Sequence, residues 1–163
     1  MAFAIHRGYL PGCIGRIAEL HARYYAGASG FGLAFEAQVA SELAAFCTRY
    51  EDGRDGLWLA LLDGRVEASI AIDGRQAERE GAQLRWFIAS DALRGRGVGR
   101  QLLGEALALC DARGYPRTRL WTFDQLLAAR HLYEAHGFAL ARTERGAQWG
   151  TPVNEQLFVR ERP

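Results

Sequence analysis

The chain has 163 residues, 49% hydrophobic and 24% charged, the composition of one ordinary globular domain spanning 1–163. Twenty basic residues against nineteen acidic ones leave a formal net charge of +1, so no charge field points to a nucleic-acid or membrane partner. All twenty cations are arginine; without lysine, Schiff-base chemistry and a P-loop cation are excluded. Cys13, Cys47 and Cys110 are odd in number, far apart and in no C-x-x-C arrangement. They argue against a zinc site or a disulfide framework, and for a reducing compartment. MAFAIHRGYLPG has neither the apolar length nor the cleavage pattern of a signal peptide, and no apolar run approaches the ~18 residues of a membrane span. A soluble, cytoplasmic protein without a metal is the expectation.

FAIHR (3–7) is a short strand. Pro11 then opens a helix whose face carries Ile14, Ile17, Ala18, His21, Tyr24 and Tyr25. His21 on that stripe reads as a satisfied core residue. GASGFG (27–32) breaks the helix, and a second follows with Phe35, Val39, Leu43, Phe46, Cys47 and Tyr50 on its stripe. The period then changes from helix to strand. LWLALL (57–62) and RVEASIAI (65–72) flank Asp63-Gly64, a hairpin turn. After a polar loop (73–81), AQLRWFIAS (82–90) completes a three-strand meander. A helix over 97–113 carries Val98, Leu102, Leu103, Ala106, Leu109, Cys110 and Arg113 on one face and ends at Gly114. A strand (118–123), a helix (126–136) ending at Gly137, and strands over 138–142 and 153–160 finish the chain. The order predicts an α+β (mixed α/β) fold, with the strands at 82–90 and 118–123 parallel because a helix crosses between them.

Between strand 82–90 and the next helix, the seven residues Arg94 to Arg100 hold three glycines and three arginines. A strand feeding a glycine-rich turn that opens a helix leaves several N–H groups unpaired and aimed the same way, which makes an anion site. Gly95, Gly97 and Gly99 permit close approach of a ligand to the backbone, and Arg94, Arg96 and Arg100 add charge. The chemistry is that of phosphate or pyrophosphate binding. Neither known glycine-rich fingerprint fits: a Walker A loop needs a lysine, and Arg100 stands where the third glycine of G-x-G-x-x-G belongs. A tight turn with solvated arginines is the alternative.

Arg94-Gly95-Arg96-Gly97-Val98-Gly99 resembles the Arg/Gln-x-x-Gly-x-Gly/Ala signature of the GCN5-related N-acetyltransferase (GNAT) family. Ala129, Tyr133, Gly137 and Phe138 are similar, in register, to that family's A-x-x-x-Y-x-x-x-G-F ending. LRWFIASDALRGRGVGRQLL, RLWTF and AARHLYEAHGF, with QWG and NEQ later, look most like the acetyltransferase half of bacterial fusions to a winged-helix regulator. These residues hold no winged-helix pattern. The resemblance implies a mostly antiparallel mixed sheet flanked by helices, with a splayed parallel pair, and acetyl-CoA as co-substrate.

Carried over residue by residue, Ile88 and Ala89 would hold pantetheine and the thioester carbonyl. Arg94, Gly95, Arg96, Gly97, Val98, Gly99 and Arg100 would cradle the pyrophosphate. Tyr133 would be the general acid that protonates the departing thiolate after direct attack by a neutral primary amine.

Two positions depart from the family pattern. Leu126 stands where the family often has Asn, and Gln83 and Arg85 occupy the neighbourhood of a common base glutamate. Glu36, Glu155 and Asp91 are the remaining carboxylate candidates; His131, His136 and Cys110 receive no role. The acceptor, a small-molecule or peptide amine, is expected against Tyr24, Tyr25, Phe31 and Phe35 and near Gln148 and Trp149. The family's habit of pairing through sheet edges makes a homodimer a further expectation. A CoA or acyl-CoA sensor without chemistry is the alternative from a different class.

Overall fold

The computed structural model describes residues 2–163. β1 (Ala4–Arg7) leads through α1 (Cys13–Ser29) and α2 (Leu33–Thr48) to the meander β2 (Gly56–Leu62), β3 (Arg65–Asp73) and β4 (Ala82–Ala89). A single 3₁₀ turn, Asp91–Leu93, precedes α3 (Val98–Arg113); β5 (Arg117–Phe123), α4 (Leu127–Ala135), β6 (Ala139–Gly146) and β7 (Val153–Glu161) follow. The strands form one sheet in the order β1-β2-β3-β4-β5-β7-β6. Every neighbouring pair is antiparallel except β4 and β5. The mixed, mostly antiparallel α+β architecture and its one parallel pair are those expected from the sequence.

Helix and strand ends follow their local chemistry. Asp63 and Gly64 both take positive φ (52° and 77°), the geometry that matches strand twist in a two-residue hairpin. Pro11 lies in a turn before α1, which begins at Cys13 behind a left-handed Gly12. Gly27 does not end α1: the helix continues to Ser29, and Gly30 (φ 70°) closes it. Tyr50 lies beyond α2. β6 is longer than expected, running to Gly146, and nearly all of it is exposed at the sheet edge.

The sheet separates two apolar cores. One face packs Ile70, Ile72 and Leu84 against Leu102, Leu103 and Ala106 of α3 and against Tyr133 and Phe138. The other packs Leu57, Leu59 and Trp86 against Ile17 of α1 and Phe35, Leu43 and Phe46 of α2. β2 feeds both cores, so LWLALL reads as an unbroken apolar run.

Two irregularities in β4 position everything that follows. Ala71 pairs with Arg85, but Ser69 pairs with Ile88, so Trp86 and Phe87 together oppose Ile70. This is a β-bulge, and Trp86 takes φ 48°, a left-handed conformation that costs a bulky residue energy. The buried Ser69 hydroxyl donates to the Trp86 carbonyl at 2.7 Å and holds the bulge. Second, β4 and β5 pair only at Ala82↔Thr118 and Gln83↔Arg119, whereas β5 stays paired to β7 from Arg117 to Phe123. Beyond Gln83 the parallel strands part.

Candidate active site

A cleft of about 740 Å³ occupies the gap where β4 and β5 diverge. Its floor is the chain from Gln83 to Ser90 on one side and from Leu120 to Phe123 on the other. Ile88 and Ala89, expected to meet pantetheine, are part of that wall. Their register partners are Ser69 and Ala68 of β3, so their other strand edge faces the gap rather than β5. An unpaired strand edge offers backbone donors and acceptors to any extended, amide-bearing ligand.

The glycine-arginine turn closes one end of the cleft through Arg94, Gly95, Gly97, Val98 and Gly99. Leu93 and Val98 are buried and anchor the turn on both sides. Between them Gly95 and Gly97 take φ 74° and 73°, which only glycine adopts readily, and Gly97 caps α3. The first bond inside α3 runs from Gln101 N–H to Gly97 O, so the helix itself supplies no acceptor for the amides of Val98, Gly99 and Arg100. The amides of Arg94 and Arg96 donate instead to the Asp91 and Leu93 carbonyls, within the turn. Arg94 is exposed and pairs with Asp91; Arg96 and Arg100 are exposed and lie outside the cleft lining. Gly99 is helical, and a Cβ there would meet Leu132 Cδ2 and Phe87 Cζ at 3.5 and 3.6 Å, an ordinary contact. The turn is therefore a helix N-terminus with exposed guanidiniums around it, suited to a polyanion.

Tyr133 enters the cleft from α4, its side chain 93% buried among Phe87, Phe138 and Phe158. Gly137 explains part of this placement. At φ 92° it reverses the chain, so that the Phe138 amide donates to the Tyr133 carbonyl and the Phe138 ring lies edge-on to the phenol ring at 5.8 Å. Burial first, and Tyr25 second, push the Tyr133 phenol above its ordinary range. The phenol is protonated at neutral pH. Tyr25, from α1, is raised in the same way by burial and by Tyr24.

Across the sheet the cleft is aromatic. Tyr25 packs on Phe35 at 5.2 Å and on Phe123 at 5.8 Å, and both partners line the cleft with Trp149. Phe31 is buried behind them, 5.0 Å from Phe35 and 5.3 Å from Phe123, and does not line the cleft. Tyr24, 47% exposed, stands at the mouth with its ring edge on Tyr25. His21 is buried as expected, with Nδ1 2.8 Å from the Ile17 carbonyl, and it also lines the cleft. Burial lowers its pKa to about 4, so the ring is neutral at pH 7.

The three carboxylates named from the sequence stand elsewhere. Glu36 is exposed on α2, outside the cleft, and Asp91 is exposed and paired with Arg94. Glu155 is buried but holds the loop before β7, accepting from the Gln148 amide at 3.0 Å and from its Nε2 at 2.8 Å. That loop carries Trp149, so Glu155 acts on the cleft through a neighbour. The one carboxylate lining the cleft is Glu42 of α2, ion-paired with Arg85 of β4. Sequence reading missed Glu42 because its helical stripe identifies the buried face only. Leu126, the N-cap residue of α4, lines the cleft as an apolar group. Among the described residues no cluster of His, Cys, Asp and Glu is arranged to hold a metal, and no helix is long and apolar enough to cross a membrane.

The sequence pattern of the Acetyltransferase (GNAT) family matches residues 15–138, from the first turns of α1 to the Phe138 that packs on Tyr133. The chain belongs to the GNAT acetyltransferase family. Human N-acetylaspartate synthetase is 27% identical to this GNAT protein over 139 residues, 85% of this chain but 46% of the human protein. The chain thus spans less than half the length of that relative. An acetyltransferase from Streptococcus agalactiae shares the fold across 98% of both chains, with a TM-score of 0.77 at 18% identity. The ribosomal-protein-S18-alanine N-acetyltransferase of Escherichia coli superposes with a TM-score of 0.71 at 18% identity, over 98% of this chain and 94% of that one. At such identities the likeness is one of fold, and the GNAT site must be argued from this chain's own residues.

Proposed function

We propose that this GNAT protein transfers the acetyl group of acetyl-CoA to a primary amine, with Tyr133 as the general acid. The observation that carries the reading is one cleft holding, in order, a helix N-terminus ringed by arginine, an unpaired strand edge and a buried phenol. Those three features fit the three parts of CoA. Gly97, Val98, Gly99 and Arg100 would receive the pyrophosphate on backbone amides, with Arg94 and Arg96 adding charge. Ile88 and Ala89 would pair with the pantetheine amides. The thioester, when bound, supplies an acyl carbon activated toward amines.

The chain's own contribution is placement and proton handling. The gap leaves the strand edge free to meet the thioester, and a backbone N–H there would stabilise developing negative charge as an oxyanion hole does. Tyr133 carries its proton at neutral pH, and its place in the cleft would let it pass that proton to a departing thiolate. Burial raises its pKa and makes it the weaker donor, so it would give the proton up only as charge develops on sulfur. Tyr25, Phe35 and Trp149 would hold the apolar part of the amine, with Tyr24 at the rim and Phe31 supporting from behind. Three unpaired cysteines support a reducing, cytoplasmic setting. The likeness to winged-helix fusions rests on the same motifs and leaves acetyl transfer as the reaction.

Release of free CoA thiol from acetyl-CoA, followed across a panel of amines, tests the proposal. Turnover above hydrolysis for any amine establishes the enzyme. Leu126 favours the second reading, a CoA sensor, by removing one polar contact the family often has; acetyl-CoA binding without turnover of any amine would establish that instead.

A further inference from the structure

The Glu42–Arg85 pair has no task in the chemistry above, yet it lies in the cleft on the face of the sheet opposite the glycine-arginine turn. Its side chains are 38% and 24% exposed, so solvent screening leaves it little stabilising value. Three features nevertheless fix the guanidinium. The bulge puts Arg85 and Trp86 consecutively on the α1/α2 face, where a regular strand would send them to opposite faces. Arg85 then lies over the Trp86 indole, with Cζ 4.2 Å from the ring centroid. Glu42 takes one Nη2 from the side. A planar, forked donor held by Trp86 on one face and by Glu42 on one edge, in an open cleft, is suited to receive a carboxylate.

The rest of the cleft sharpens this. Arg94 is its other arginine and belongs to the anion turn; Glu42 is its one carboxylate, and the remaining lining beside Arg85 is largely aromatic or amide-bearing. Resting on the acetyl-transfer reading, we propose that the acceptor is a zwitterionic amine, a free amino acid with an apolar body. Its carboxylate docks on Arg85, its side group lies against Tyr25, Phe35 and Trp149, and Glu42 positions Arg85 and faces the ammonium. The ammonium loses one proton to solvent before attack. The N–C bond then forms as the C–S bond breaks; the sulfur takes a proton from Tyr133, the nitrogen releases its second proton to solvent, and Tyr133 regains one from solvent to complete the cycle.

The test pairs L-phenylalanine and L-leucine with their amides and their decarboxylated amines, using wild type, Arg85→Gln and Arg85→Lys. Thermal unfolding with acetyl-CoA confirms that each variant folds and binds. The expected result is kcat/KM about 10²-fold higher for the acids than for the neutral amines. In Arg85→Gln the preference collapses through KM, with kcat nearly unchanged, and Arg85→Lys restores part of it. Equal or better turnover of the neutral amines, with the ratio unmoved in Arg85→Gln, overturns the proposal. If no amine is turned over, the acetyl-transfer reading fails, and calorimetric binding of L-phenylalanine to the CoA-loaded protein decides separately. Loss of affinity in Arg85→Gln supports the carboxylate site, and unchanged or undetectable binding in wild type and variant alike overturns it.

Discussion

The two sides of the cleft solve different problems. In the proposed reading the α3/α4 side would bind through backbone: left-handed glycines, the amides of a helix start and an open strand edge, beside the buried Tyr133 phenol. On the α1/α2 side the lining is mostly side chains from separate segments, Tyr25, Phe35 with Glu42, Arg85, and Trp149, and recognition of an acceptor would fall to them. Backbone geometry suits a ligand that never varies, because it depends on chain path rather than side-chain identity. Side chains on a shared frame suit an acceptor that differs between relatives. On the proposed reading, the α1/α2 half is where this fold would acquire its substrate.

Removing one atom from the α3/α4 side should have the largest effect. Tyr133→Phe should lower kcat about 10²-fold or more with thermal stability and acetyl-CoA affinity nearly unchanged, read by thiol release and thermal shift. Unaltered kcat would remove Tyr133 from the chemistry and dissolve the contrast between the sides.

A pH titration probes the acceptor side. His21 has an ordinary value near 6.5 and about 4 when folded, so the unfolded chain takes its proton first. Stability is full above pH 6.5 and falls as pH drops toward 4, by roughly 3 kcal/mol in all. His21→Gln should flatten that fall in denaturant titrations, and an equal slope in both proteins would show that His21 is not the group responsible.

Gly97→Val should cost about 1–2 kcal/mol, because a branched residue must adopt φ 73°. It should also weaken acetyl-CoA binding about tenfold by displacing the start of α3. Calorimetry that found binding intact would relocate the anion site to the arginine side chains. The smallest change should come from Glu155→Gln, which loosens the Gln148 contacts and frees the Trp149 loop. A several-fold rise in acceptor KM with kcat and acetyl-CoA KM unchanged is expected; a change in acetyl-CoA KM would show that this loop serves both sides.

Much of the frame was readable from pattern alone. Period-2 and period-3.6 runs placed every helix and strand to within a few residues, save the single turn at Asp91–Leu93 and the extension of β6. The turn and Tyr133 were readable because their residues lie close in sequence: a strand, a glycine-rich turn and a helix start are consecutive, and Gly137 stands four residues after the phenol it helps to place. The bulge at Trp86 had no such signature, since no glycine marks it and the hydroxyl that bonds to it, Ser69, is seventeen residues away. The Glu42–Arg85 pair spans forty-three residues and depends on that bulge. Local chemistry therefore determined the elements, the glycine-arginine turn and the place of Tyr133 at the end of its helix. Only the tertiary structure decided where β4 parts from β5 and which carboxylate meets the cleft, because both follow from strand register and helix packing between distant segments.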